Sequence, residues 1–185
     1  MMEKQDLRVP KTLNSIRQAF FILLEQKGFV EISVQDILDA ALINRTTFYK
    51  HYLNKNALVV QLNAEILLLF KEVVQRRFHV TPQIFAHTVA PLLLQHRREI
   101  LLLWKINQPR LNLYQDMQDV MKQSYLEFAC KRFNKTAQQL DFQSTDFASM
   151  GMTTLRYFVE NNVAPDAEKL VSDWRDILNV ALSIS

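Results

Sequence analysis

The sequence predicts an all-α protein of about nine helices: a small three-helix domain over residues 1–54 and a larger helical bundle over residues 55–185. Three observations carry this. Only 2 glycines and 5 prolines punctuate 185 residues, too few for the turns of a sheet protein. Hydrophobic residues make up 49% of the chain and recur at three- and four-residue spacing instead of alternating. Polar residues suited to helix caps stand ahead of successive periodic stretches.

The first helix is expected over Pro10–Lys27, with Leu13, Ile16, Phe20, Leu23 and Leu24 as its buried stripe. Pro10 fits a first helical turn. Gly28 then reads as a left-handed C-cap, with Phe29 folding back onto the core. Residues 1–9 are polar and expected to fray.

The stretch from Ser33 to Lys55, SVQDILDAALINRTTFYKHYLNK, holds two short helical patterns joined by a tight turn. Ser33 can cap the first, and Asp36 three residues on can complete a capping box. Val34, Ile37, Leu38 and Ala41 make its apolar face. The break falls at Leu42 and Ile43. Asn44 caps the second helix, Arg45 to Tyr52, with Thr47 three residues later. Phe48 and Tyr52 share its inner face. Arg45, Thr46, Tyr49 and Lys50 point outward, with Thr47 and His51 at the margins. Such a helix offers donors to bases and phosphates, and the pair reads as a helix-turn-helix. The plain alternative is a helical hairpin with a solvated face.

Gly28-Phe29, Ile32-Ser33-Val34, Asp36-Ile37, Ala41, Ile43-Asn44-Arg45, Thr47-Phe48-Tyr49, His51-Tyr52, Lys55 and Leu58 together resemble the DNA-binding domain of the TetR/AcrR family of bacterial transcription regulators. The resemblance spans Arg8 to Leu58. One position departs from it: the family usually carries Gly in the turn, where this chain has Leu42. If that residue is left-handed, Leu costs on the order of 1 kcal/mol there. The resemblance implies a dimer on a near-palindromic double-stranded operator, most often as a repressor. It implies Arg45 as the direct base reader, with Thr46 and Thr47 touching a thymine methyl or a phosphate. Tyr49, Lys50, His51 and Lys55 would hold the backbone. Gln35 and Ser33, at the start of the first helix of the pair, would also reach DNA, and the arm around Arg8 and Lys11 would lie near it. The Asn44-Arg45 and Thr47-to-Tyr52 wording also resembles regulators of dihydroxyacetone kinase operons, some of which work through protein partners.

The rest of the chain is helical in pattern. Asn54 caps a long helix, Lys55–Phe78, with Leu58, Leu62, Ile66, Leu69 and Val73 on one face; it connects the two domains, and Lys71, Arg76 and Arg77 read as solvated. Thr81-Pro82 opens the next helix, reaching His96 with a kink at Pro91. Arg97-Arg98-Glu99 breaks the pattern before a short helix, Ile100–Ile106, around Trp104. Asn112–Thr136 follows, with Leu113, Met117, Val120, Met121, Tyr125, Phe128 and Phe133 inward. The last two helices carry Ser144 to Val159 and Asp166 to Ala181. Gly151 inside a helix suggests a close helix crossing.

The family resemblance implies a small, largely apolar effector in the C-terminal domain. Phe70, Phe85, Trp104, Tyr125, Phe128 and Phe158 are the aromatics that can line its pocket, each also a plain core candidate. It further implies homodimerisation through the last two helices, near Gly151, Leu155, Trp174 and Ile177; intrachain packing is the alternative. A C-terminal domain that binds a protein instead of a small molecule is the competing reading.

Composition limits the remaining classes. Net charge is +3 from 22 basic and 19 acidic residues, so nucleic-acid binding must come from local placement of charge. The single cysteine, Cys130, excludes an intrachain disulfide and fits a reducing cytoplasm. It reads as a packing or surface thiol, since no second Cys can resolve a sulfenate. No apolar run has the length of a membrane span. No nucleophile–base pairing, Gly-rich phosphate loop or metal-ligand spacing is present, so no enzyme, cofactor or metal is expected.

Overall fold

A computed structural model describes residues 8–182, and all its regular elements are helical. They run α1 Arg8–Gln26, α2 Val34–Ala41, α3 Arg45–Tyr49, α4 Lys55–Arg77, α5 Pro82–Ile84, α6 Ala90–Leu94, α7 Arg97–Leu103, α8 Leu113–Phe133, α9 Asp141–Asn161 and α10 Ala167–Leu182. A π-helical stretch, Phe85–Val89, joins α5 to α6, so these two form one rod. Residues group into two compact units: one up to Ala64 together with Leu102–Asn112, the other Glu65–Leu101 together with the chain from Leu113 onward. Leu102–Asn112 thus belongs with the N-terminal helices, although it is remote from them in sequence. The arm before Arg8 lies outside the described residues.

In the first unit, Ile16, Phe20 and Phe21 of α1 are fully buried, together with Ile37, Phe48 and Leu58 from the next three helices. Phe20 meets Phe29 edge-on, ring centroids 6.3 Å apart. Each such side chain contributes up to about 1.5–3 kcal/mol on burial, which far exceeds what intrinsic propensity gives helices this short. Gly28 is not the expected left-handed cap: it is extended, φ −64 and ψ 150. A 3-10 turn, Phe29–Glu31, redirects the chain instead, with the Glu31 amide donating to the Gly28 carbonyl at 3.0 Å. Asn63 of α4 is buried and donates from Nδ2 to the Leu111 carbonyl at 3.4 Å, fastening the returning segment.

In the second unit, α8 and α9 pack closely where Gly151 faces Met121; a Cβ at Gly151 would collide with the Met121 sulfur. Gly151 therefore serves a crossing within one chain. Arg97 donates to the Val159 and Glu160 carbonyls, covering the end of α9. Asn162 ends that helix in the left-handed conformation, φ 54.

Two further expectations change, and a third gains a detail. Pro91 follows a change of helical register in its rod. Its ring has no N–H and would crowd the carbonyl four residues back, and the ladder widens to a π register just before it, where the Ala90 amide donates to Phe85. Arg97-Arg98-Glu99 begins α7 instead of breaking the pattern, and that helix ends before Trp104. Phe133 is 49% exposed, because α8 ends there and its last turn leaves the core.

A second aromatic cluster gathers Phe78, Tyr125, Phe128 and Phe147. Phe78 stacks on Phe128 at 4.8 Å and Tyr125 on Phe147 at 4.5 Å. The Tyr125 hydroxyl accepts a hydrogen bond from Gln143. Cys130, partly buried, packs against the neighbouring core of Tyr125, Ala129 and Leu140.

Candidate nucleic-acid interface

The geometry starts from two caps. The Ser33 hydroxyl accepts from the Asp36 amide at 3.1 Å, and the Asp36 carboxylate accepts from the Ser33 amide at 2.7 Å. This is a complete capping box. Lys27 adds an ion pair to Asp36 at 2.9 Å. The Ser33 hydrogen bonds, chiefly from its amide, and Lys27 hold the Asp36 carboxyl well below the usual carboxylate range. α2 then ends at Leu42, which is left-handed, φ 54 and ψ 44, and 91% exposed. The turn keeps the geometry a glycine would favour.

Asn44 opens α3. Its Oδ1 accepts from the Thr47 amide and from the Thr47 hydroxyl, both at 2.8 Å. The helix is shorter than expected, Arg45–Tyr49, and continues as a turn through His51. Phe48 and Tyr52 are buried and their rings lie 5.6 Å apart. Arg45, Thr46, Tyr49 and Lys50 are exposed, with Thr47 and His51 half-buried. The Arg45 guanidinium lies over the Tyr49 ring at 5.6 Å. This stacking holds an otherwise flexible side chain at the front of the helix. The surface carries two cations and no acidic residue.

Other expected contacts are placed differently. Lys55 directs its ammonium inward: Nζ donates to the carbonyls of Ile32 at 2.6 Å, Phe29 at 2.8 Å and Val30 at 3.1 Å, and sits 4.6 Å from the Phe29 ring centroid. Three N–H donors meet three carbonyls, which leaves none for a phosphate. Burial pushes its pKa down. Ser33 likewise gives both its amide and its hydroxyl hydrogen to Asp36. Gln35 donates to Asp39 at 2.8 Å. At the start of α4, Asn54 Oδ1 accepts from the Ala57 amide at 3.0 Å.

The second unit holds a cavity of about 160 Å³ that is partly open to solvent. Phe70, Phe85 and Phe158 line it as anticipated, but Trp104, Tyr125 and Phe128 do not. Trp104 belongs to the segment that joins the first unit. Tyr125 and Phe128 are drawn into the stack with Phe78 and Phe147, of which only Phe147 reaches the cavity. Gly151, Leu155 and Trp174, expected at a subunit interface, also line the cavity, whereas Ile177 is exposed. Arg77 lines it too. Its place on the face of Phe70, Val73 and Val74, at helical spacing, was the available signal.

Among the described residues, no cluster of His, Cys, Asp and Glu can hold a metal ion. No described helix is long and apolar enough to cross a membrane.

Residues 16–62 match the model of the bacterial regulatory proteins of the tetR family. A 59-residue stretch, 31% of this chain, is 41% identical to an uncharacterized HTH-type transcriptional regulator, YxbF, of Bacillus subtilis strain 168; the match spans 16% of that protein's length. Across 92% of this chain and 96% of the other, the fold is similar to that of the dihydroxyacetone kinase operon activator DhaS, with TM-score 0.54 and 19% identity.

Proposed function

We propose that this chain, which belongs to the tetR family of bacterial regulatory proteins, controls transcription by binding a near-palindromic double-stranded operator as a homodimer. The observation that carries this is α3: capped by Asn44, anchored by Phe48, and presenting Arg45, Thr46, Tyr49 and Lys50 to solvent. Arg45 is the base reader, since Arg pairs bidentately with guanine. Tyr49, Lys50 and His51 hold phosphates and set register. Two such helices in a dimer sit about 34–36 Å apart, one turn of duplex.

Dimerisation is supported by α10. Ile177, Leu178, Val180 and Leu182 are exposed apolar residues on this last helix, and contiguous exposed apolar surface marks association sites. The same residues also suit a protein partner, which is the second reading. Control would come from a small effector in the cavity of the second unit, acting through α4, whose residues contribute to both units. Repression relieved by that effector is the sense we favour.

Selection from random duplex DNA, followed by sedimentation of the free protein and of the complex, tests the proposal. The expected result is a palindromic site bound by two chains, with affinity falling steeply as salt rises. A monomer that ignores every duplex at low salt would remove it.

A further inference from the structure

Arg77 is the single charged residue among those lining the cavity of the second unit. It stands in the last turn of α4, half-buried, with its guanidinium 5.6 Å from the Phe85 ring centroid. No carboxylate pairs with it among the described residues, and burial lowers its pKa. A cation taken from water without a partner is unfavourable, and one aromatic face offsets that only in part. The helix end does not by itself require it: Arg76 occupies the same turn and is exposed.

The rest of the wall is almost wholly apolar, with Phe70, Phe85, Phe158 and Trp174 prominent. An apolar cavity of about 150 Å³ holds a benzene ring, and this one is about 160 Å³. We propose that the cavity takes a small monocarboxylate, its apolar body about the size of one ring among the aromatics and its carboxylate on the Arg77 guanidinium. A planar guanidinium meets a carboxylate through two parallel hydrogen bonds. The ligand then neutralises the charge that the fold leaves without a partner. This rests on the reading of the cavity as an effector site and narrows it to one ligand class.

The test uses calorimetry on the full chain with two matched pairs, benzoate against benzyl alcohol and octanoate against octanol. The same titrations are run on Arg77→Gln and Arg77→Lys, and each compound is added to the protein on its selected operator. The native chain should bind the acid of at least one pair tenfold or more tighter than its alcohol. Arg77→Gln should lose that preference while keeping its affinity for the alcohol, and Arg77→Lys should restore part of it. Equal affinity for acid and alcohol in the native chain overturns the proposal even if a variant fails to fold, and so does a preference that survives in Arg77→Gln. An alcohol that binds as well as its acid and also displaces DNA overturns the carboxylate and leaves the effector reading intact. An Arg77-dependent preference with unchanged DNA occupancy upholds the carboxylate and removes the effector reading. Binding by none of the four compounds overturns both.

Discussion

Lys55 Nζ donates to the Ile32 carbonyl oxygen at 2.6 Å, across 23 residues of sequence. With its bonds to Phe29 and Val30, this ties the start of α4 to the segment that leads into α2. Lys55→Met should lower the stability of the N-terminal unit by about 1.5–3 kcal/mol, the range for hydrogen bonds to a charged group. Urea unfolding measures this. The slope of log affinity for operator against log salt should stay as in the native protein, because no phosphate contact is lost. A slope smaller by about one would return Lys55 to the DNA backbone.

Leu42 holds a left-handed backbone while 91% exposed, so it has strain and little packing to lose. Leu42→Gly should relieve about 1–2 kcal/mol of that strain. It also adds about 0.4–1 kcal/mol of unfolded-state freedom. The net gain should be about 0.5–1 kcal/mol, seen as a higher thermal midpoint. A loss on this substitution would mean that the Leu42 side chain is held by something in solution.

Arg45 and Lys50 should separate in a binding-site selection. Arg45→Ala is expected to relax preference at one operator position, by about 1–3 kcal/mol of discrimination. Lys50→Ala should weaken all sequences alike and reduce the salt slope by about one. Uniform loss from both variants would contradict the assignment of Arg45 as reader.

Asp36 makes stability depend on acid. Its carboxyl is held below the usual range by the Ser33 hydrogen bonds and by Lys27. A depressed folded pKa means that the unfolded chain takes up protons first. The contribution is therefore full above the unfolded pKa, about 4, and is lost as pH falls below it. Asp36→Asn should flatten this part of the acid-unfolding curve, read by helicity against pH at constant salt. An unchanged curve would show that the capping box does not persist in solution.

Gly151 faces the Met121 side chain closely enough that a Cβ must displace it. Gly151→Val should cost about 1–3 kcal/mol by overpacking. Met121→Ala in the same chain should recover part of that loss, a coupling that a double-mutant cycle reads directly. Simple additivity would mean that the two helices separate at this point without strain.

Much of the first unit could be read locally. Ser33 with Asp36 and Asn44 with Thr47 are caps closed within three residues, as is Thr81 with Ile84 in the second unit, so chain order alone places their partners. The inward and outward faces of α3 follow from its period in the same way. The cavity could be read only in part. Phe70, Phe85 and Phe158 reach it, whereas Tyr125 and Phe128 have the same periodic signature and stack elsewhere.

The sequence by itself determined the helical class, the capped pair of short helices and the identity of the residues on the face of α3, because each depends on spacings of one helical turn. Only the tertiary structure decided that Lys55 turns inward, that Arg77 lines an apolar cavity and that Leu102–Asn112 joins the first unit. The physical reason is that periodicity states which side of a helix is buried but not which distant segment buries it. The partners of a long cationic side chain are chosen by the three-dimensional packing around it.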